Sequence, residues 1–154
     1  METIKKILFP VDLSDVSDNI APWVIMMAKS FGARINIVFV LRSFDYLHSF
    51  QLGQPQIDNF VLSFLKGAEE KIKQFVDINF KDYTNFKTEI VQGDPADEII
   101  QYITSRSIDL VIMGTHGRKG LNRILFGSVA DRVVKMSPVP VLTVNPYRTL
   151  TPEI

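Results

Sequence analysis

Short, nearly continuous apolar runs alternate along this chain with longer amphipathic stretches, and this alternation restricts its fold more than any other feature. A chain built this way forms a parallel sheet with helices on both faces, the α/β class. The spacing predicts strands over residues 4–11, 34–41, 87–91, 108–113 and 139–144. Runs without polar interruption suit strands covered on both sides. Ser14 is placed to cap a helix reaching Phe31, with Asp15 and Asp18 near its positive end and Gly32 as the stop. A second helix is expected over residues 57–80, with Phe60, Phe64 and Leu65 facing the sheet. Asp94 caps a third, opened by Pro95 and ending near Ser105. A fourth runs from Ser128 to Met136. Residues 42–56 have no clear period and read as a long loop, in which His48 is a surface residue. Met26, Met27 and Met113 read as core fillers.

The 154 residues, 46% of them hydrophobic, suit one domain able to bury a core without staples. Residues 1–146 form that domain and 147–154 a short tail. With no cysteine, thiolate zinc sites, disulfides and cysteine nucleophiles are excluded, and two histidines leave little for a metal cage. Seventeen basic residues balance seventeen acidic ones, which argues against a nucleic-acid partner. The apolar stretches are too short for a signal-peptide core or a membrane span, so a soluble cytoplasmic protein is expected.

The segment that carries chemistry is Gly114-Thr-His-Gly-Arg-Lys-Gly-Leu-Asn-Arg-Ile-Leu-Phe-Gly127-Ser128-Val129. It starts where a buried strand ends and finishes where a helix begins. Ligands of open α/β sheets bind at the carboxyl ends of strands, and helix starts offer free N–H groups and a positive dipole end. Glycines allow close backbone approach, Ser128 adds a hydroxyl, and Arg118, Lys119 and Arg123 add positive charge. Together they describe an anion cradle, most simply for phosphates. A P-loop is absent, and the first strand leads into Phe9-Pro10-Val11-Asp12 instead of a dinucleotide Gly-x-Gly-x-x-Gly turn.

Gly114-x2-Gly117-x9-Gly127-Ser128 resembles the ATP-binding signature of the universal stress protein family. The resemblance extends to Ile7-Leu8-Phe9-Pro10-Val11-Asp12-Leu13-Ser14, to Gly93-Asp94-Pro95-Ala96 and to Ser137-Pro-Val-Pro-Val-Leu-Thr-Val144. It implies a five-stranded parallel sheet of order 3-2-1-4-5, a homodimer, and membership of the branch that binds ATP. By the same resemblance Pro10, Val11 and Asp12 line the nucleoside end, with Asp12 near the ribose or a divalent metal such as Mg or Mn. Val40 would meet the adenine through its backbone, and Met113 and Gly114 would lie against the nucleoside. His116, Gly117 and Arg118 would approach the phosphates with the backbone of Gly127, Ser128 and Val129. Leu13 departs from the pattern, standing where the family often has glycine.

Simpler readings exist for several of these residues. Asp12 can serve as a helix cap, the basic side chains as solvated surface charges, and His116 as a packing residue, since no Ser/His/Asp constellation accompanies it. Three functions follow: a nucleotide-dependent regulatory module read by an unidentified protein partner, a slow ATPase or phosphotransferase, or a scaffold that uses the fold without nucleotide. AMP and cyclic nucleotides remain open as ligands beside ATP. In the 3-2-1-4-5 order the strand Val139 to Val144 lies at a sheet edge without charge, which suits antiparallel pairing with a second copy.

Overall fold

A computed structural model describes residues 3–116 and 126–147. The chain runs β1 (Lys6–Val11), α1 (Asp15–Phe31), β2 (Arg34–Leu41), a 3-10 turn (Asp45–Phe50), α2 (Gln54–Asn79), β3 (Phe86–Gln92), α3 (Pro95–Arg106), β4 (Leu110–Gly114), α4 (Ser128–Met136) and β5 (Val141–Val144). Every pairing is parallel, as the alternation of elements predicted, and the order is β3-β2-β1-β4-β5, as the family resemblance implied.

Alternation along the strands divides the core into two layers. Ile7, Phe9 and Val11 of β1, with Ile35, Ile37 and Ile112, pack under Ile20, Val24 and Ala28 of α1 and Phe75 of α2. Leu8, Val38, Val111 and Met113 point the other way, against Ile99 and Ile103 of α3 and Ala130 and Val133 of α4. Ile7, Leu8 and Phe9 are fully buried, which is why the central strand reads as an unbroken apolar run.

The helix signals act as the sequence suggests. Ser14 Oγ accepts from Val16 N at 3.3 Å, and Gly32 takes the left-handed conformation (φ 65°) while its N–H reaches the last carbonyls of α1. Asp94 Oδ1 accepts from Asp97 N at 3.1 Å, with Pro95 in the first turn.

Four expectations need correction. Residues 42–56 are not one loop: they hold the 3-10 turn and the start of α2. Gly53 and Pro55 act as a helix start, with Gly53 N donating to Gln56 Oε1 at 2.6 Å and Pro55 placed where a missing N–H costs nothing. Phe60 and Phe64 do not face the sheet. They are 39% and 46% exposed and pack on Phe44, with ring centroids 5.5 and 5.1 Å away. Met26 is 43% exposed on the outer side of α1, whereas Met27 and Met113 do pack into the core. The last strand starts at Val141 instead of Val139, because Ser137 Oγ ties Val139 O into a turn at 2.8 Å.

The two sheet edges differ. On β3, Glu89 accepts from the Tyr102 hydroxyl at 2.8 Å and from Arg106 at 3.1 Å, with Lys87 3.8 Å away. Partial burial raises the Glu89 pKa, but the Tyr102 hydroxyl and the two cations outweigh this and hold it below the ordinary value. Charged side chains on an edge strand discourage further pairing. β5, at the other edge, carries Val141, Leu142, Thr143 and Val144 and no charge. Among the described residues no helix is long and apolar enough to cross a membrane.

Candidate functional site

In a parallel sheet all strands end on the same side, so Asp12 after β1, Val40 near the end of β2 and Gly114 at the end of β4 share one rim. β1 lies between β2 and β4, and the chain leaves it toward β2 on one side while β4 flanks it on the other. This is the topological switch point, where open α/β sheets carry their ligand crevice. Val40, Met113 and Val129 all belong to the layer beneath α3 and α4, and strand alternation puts Pro10 on the same side as Leu8. The start of α4 stands over that layer.

Val11 points the other way, into the layer beneath α1, and is buried there. Gly114 also has its bare side toward α1. A Cβ built on it would come within 2.5 Å of Ile20 Cδ1 and 2.9 Å of His116 O. The glycine is therefore required first by the packing of α1 on β4, whatever ligand approaches its other side.

The β1–α1 turn is organised by Asp12. Its Oδ1 accepts from Ser14 N at 3.0 Å, Ser14 Oγ at 2.6 Å and Ser17 Oγ at 2.9 Å, while its own N–H donates to Ser17 Oγ at 3.1 Å. The cap of α1 is Ser14, and Asp12 acts one step behind it by holding the Ser14 N–H and hydroxyl in place. Ser17, buried and polar, is a member of this network that sequence reasoning missed. The only signal was a serine facing inward on an otherwise apolar helix stripe. Leu13 sits between them at φ 59°, a left-handed conformation that favours glycine. That explains the glycine that the resembled family often places there. Replacing Asp12 with alanine removes the acceptor for three hydrogen bonds, and we expect a stability loss of about 1–3 kcal/mol in urea unfolding. A loss below about 0.5 kcal/mol would show that the turn holds without it.

Two hydrogen bonds bring the glycine segment back onto the sheet. Thr115 N donates to Val144 O at 2.9 Å, and Gly127 N donates to Thr115 O at 2.7 Å. The entry to α4 is thereby pinned to the exit of β4. Gly127 precedes α4 with extended backbone, and Ser128 is exposed in the helix's first turn. His116 is 6% exposed; its Nδ1 lies 2.9 Å from Thr115 Oγ1, and its ring packs on Tyr147 at 5.7 Å between centroids. Its Nε2 is buried and finds no partner among the described residues. Gly117 and Arg118, with Lys119 and Arg123, lie outside the described residues. Arg132 bridges α4 to the start of α3, reaching Asp94 at 2.8 Å and Asp97 at 2.5 Å. The Asp97 N–H and then the Arg132 guanidinium hold the Asp94 carboxyl below its usual range.

Fold and rim together define a doubly wound α/β domain with a glycine-bounded segment between β4 and α4. The chain belongs to the universal stress protein family, which matches residues 3–145. The universal stress protein MJ0531 of Methanocaldococcus jannaschii is 35% identical to it over 141 residues, spanning 92% of this chain and 82% of that protein. The solved structure of MJ0577, from the same organism, has a TM-score of 0.76 at 27% identity and covers 93% of this chain and 96% of its own. Universal stress proteins solved with cAMP, with dAMP (Archaeoglobus fulgidus) and with AMP (Arabidopsis thaliana) share the fold at 19% identity, with TM-scores of 0.61, 0.63 and 0.64.

Proposed function

We propose that this chain is an ATP-binding regulatory module of the stress response, acting in the cytoplasm. The observation that carries the reading is the series Gly114-x2-Gly117-x9-Gly127-Ser128, set between the carboxyl end of β4 and the N-terminus of α4. A helix start supplies unsatisfied N–H groups and a positive dipole end to phosphate oxygens. Pro10, Val40 and Met113, on the layer beneath α3 and α4, give the adenosine an apolar floor. Family members solved with AMP, dAMP and cAMP support an adenine nucleotide as the ligand class.

In this reading the N–H groups of Ser128 and Val129 meet the phosphates, Gly127, whose own N–H is taken by Thr115 O, leaves room for their approach, and His116, Gly117 and Arg118 would contribute from the other end of the segment. Among the described residues no cluster of three or more potential metal ligands forms. A Mg or Mn ion would therefore take most of its ligands from the phosphates and water, with Asp12 as the protein carboxylate. The deciding experiment pairs mass spectrometry of nucleotide released from gently purified, denatured protein with calorimetric titration of ATP, AMP and cAMP. ATP carried through purification and bound most tightly is the expected result. An empty protein that gives no heat with any of the three would overturn the reading, and tighter binding of AMP or cAMP would replace its ligand.

The same reading includes a homodimer through β5. This edge strand is bonded to β4 on one side only and lacks the charges that guard β3. Two-fold antiparallel pairing buries it in a self-complementary contact. Light scattering at micromolar concentration should give a dimer, weakened by Leu142→Lys or Val144→Lys. A monomeric wild type, or dimers unaffected by both changes, would exclude this interface.

A further inference from the structure

Among the buried residues of α1, Ser17 alone is polar; the others are Ile20, Ala21, Val24 and Ala28. A hydroxyl 3% exposed on such a stripe needs hydrogen-bond partners. With Ser14 as the cap of α1, Ser17 stands at the third helical position, where a side chain ordinarily reaches back to the N–H of the cap. That N–H is already donated to Asp12 Oδ1, and Ser17 passes over it to Asp12 itself. Its Oγ donates to Asp12 Oδ1 at 2.9 Å and accepts from the Asp12 N–H at 3.1 Å. The buried hydroxyl thus satisfies no group of its own helix. Both of its bonds end on one residue of the preceding turn.

That residue follows β1 at the switch point of the sheet, on the rim that carries the candidate site. Together with Ser14 N and Ser14 Oγ, Ser17 Oγ makes three donors on Asp12 Oδ1. An oxygen so occupied has no lone pair left to offer, so a ligand meets this carboxylate through Oδ2. The two Ser14 donors also belong to the cap, since Ser14 Oγ accepts from Val16 N. Ser17 is the donor that ties the carboxylate to the core side of α1. Between Asp12 and the helix, Leu13 holds φ 59°, a conformation that disfavours leucine, so the turn depends on such ties for its shape.

We propose that Ser17 is a positioning residue of the candidate nucleotide site. By clasping Asp12 from the core side it sets the direction in which Oδ2 meets the ligand, where a ribose hydroxyl or a phosphate-bound divalent cation calls for a single fixed oxygen. This rests on the ATP-binding reading. The test is calorimetry with ATP on the full chain, beside urea unfolding of the same proteins. Ser17→Ala is expected to weaken ATP binding roughly tenfold. Asp12→Asn supplies the control: its amide keeps an oxygen for the three donors and presents NH2 in place of Oδ2, so the turn stays closed and the acceptor is gone. In that background Ser17→Ala should cost no further affinity, while lowering the urea midpoint as much as it does in the wild type. Two arms identify what Oδ2 meets. A loss that persists in EDTA and vanishes with 2′,3′-dideoxy-ATP assigns it to the ribose, and a loss confined to magnesium assigns it to the cation; either supports the proposal. A loss that survives both removals, an equal loss in the Asp12→Asn background, or wild-type affinity in Ser17→Ala would each overturn it while ATP binding stands. A wild type that binds no adenine nucleotide would overturn the ATP-binding reading, and this proposal with it.

Discussion

Valine in place of Gly127 is expected to weaken ATP binding by roughly 100-fold or more, a loss of about 2.7 kcal/mol, while the domain stays folded. Gly127 sits at φ −63° and ψ 155°, a conformation open to any residue, so the backbone imposes no strain on a side chain. Glycine is the better residue before a helix, but the difference is small, on the order of 1 kcal/mol. What valine changes is the space beside the first N–H groups of α4. Under the proposed reading the phosphates must come to van der Waals distance of that backbone, and a branched side chain occupies the approach. Calorimetry with ATP on wild type and variant, beside matched circular dichroism spectra and melting curves, separates binding from folding. Equal affinities in two equally folded proteins would mean the phosphates lie elsewhere.

At Gly114 the expected result is the reverse, a loss of stability before any loss of ligand. A Cβ there meets Ile20 Cδ1 at 2.5 Å and the His116 carbonyl at 2.9 Å. The first neighbour is a side chain in a packed core and the second is backbone, so neither yields freely. Overpacking of this kind costs typically 1–3 kcal/mol, and Gly114→Val should fall near the top of that range. Urea unfolding measures it. Ile20→Val removes the clashing Cδ1 and supplies a double-mutant cycle: alone it should cost about 1 kcal/mol, and in the Gly114→Val background less. Additive effects would place the cost on the His116 carbonyl instead of on Ile20 Cδ1.

The sequence exposed the fold's frame because strand burial and helix punctuation are both local. β1 reads as apolar since both its faces are covered, and Ser14, Gly32, Asp94 and Pro95 act within a few residues of themselves. Where a signal depended on distant packing, it was less legible. Gly53 and Pro55 are a local exception: they have the composition of a loop, and a helix start made of the bonds between Gly53 and Gln56 and from Ile57 N to Gly53 O uses the same residue types. Phe60 and Phe64 have core spacing, yet the 3-10 turn carries Phe44 outward to meet them and so fixes their position away from the sheet. The rim of the candidate site was legible as motif order. That Gly114 faces Ile20, that Ser17 closes the Asp12 turn and that Arg132 clamps α3 to α4 are contacts between segments far apart in sequence or on different elements.

The unequal edges of the sheet also bear on how far assembly can proceed. In the proposed dimer, pairing through β5 would consume the neutral edge of each copy in a single event. What remains outward is β3 at both ends, guarded by Lys87, Glu89 and Arg106. A ten-stranded continuous sheet would then be the terminus of growth, with no template left for a third copy. Under the proposed dimer the charges on β3 would limit fibre formation, and neutralising them is where that limit would give way.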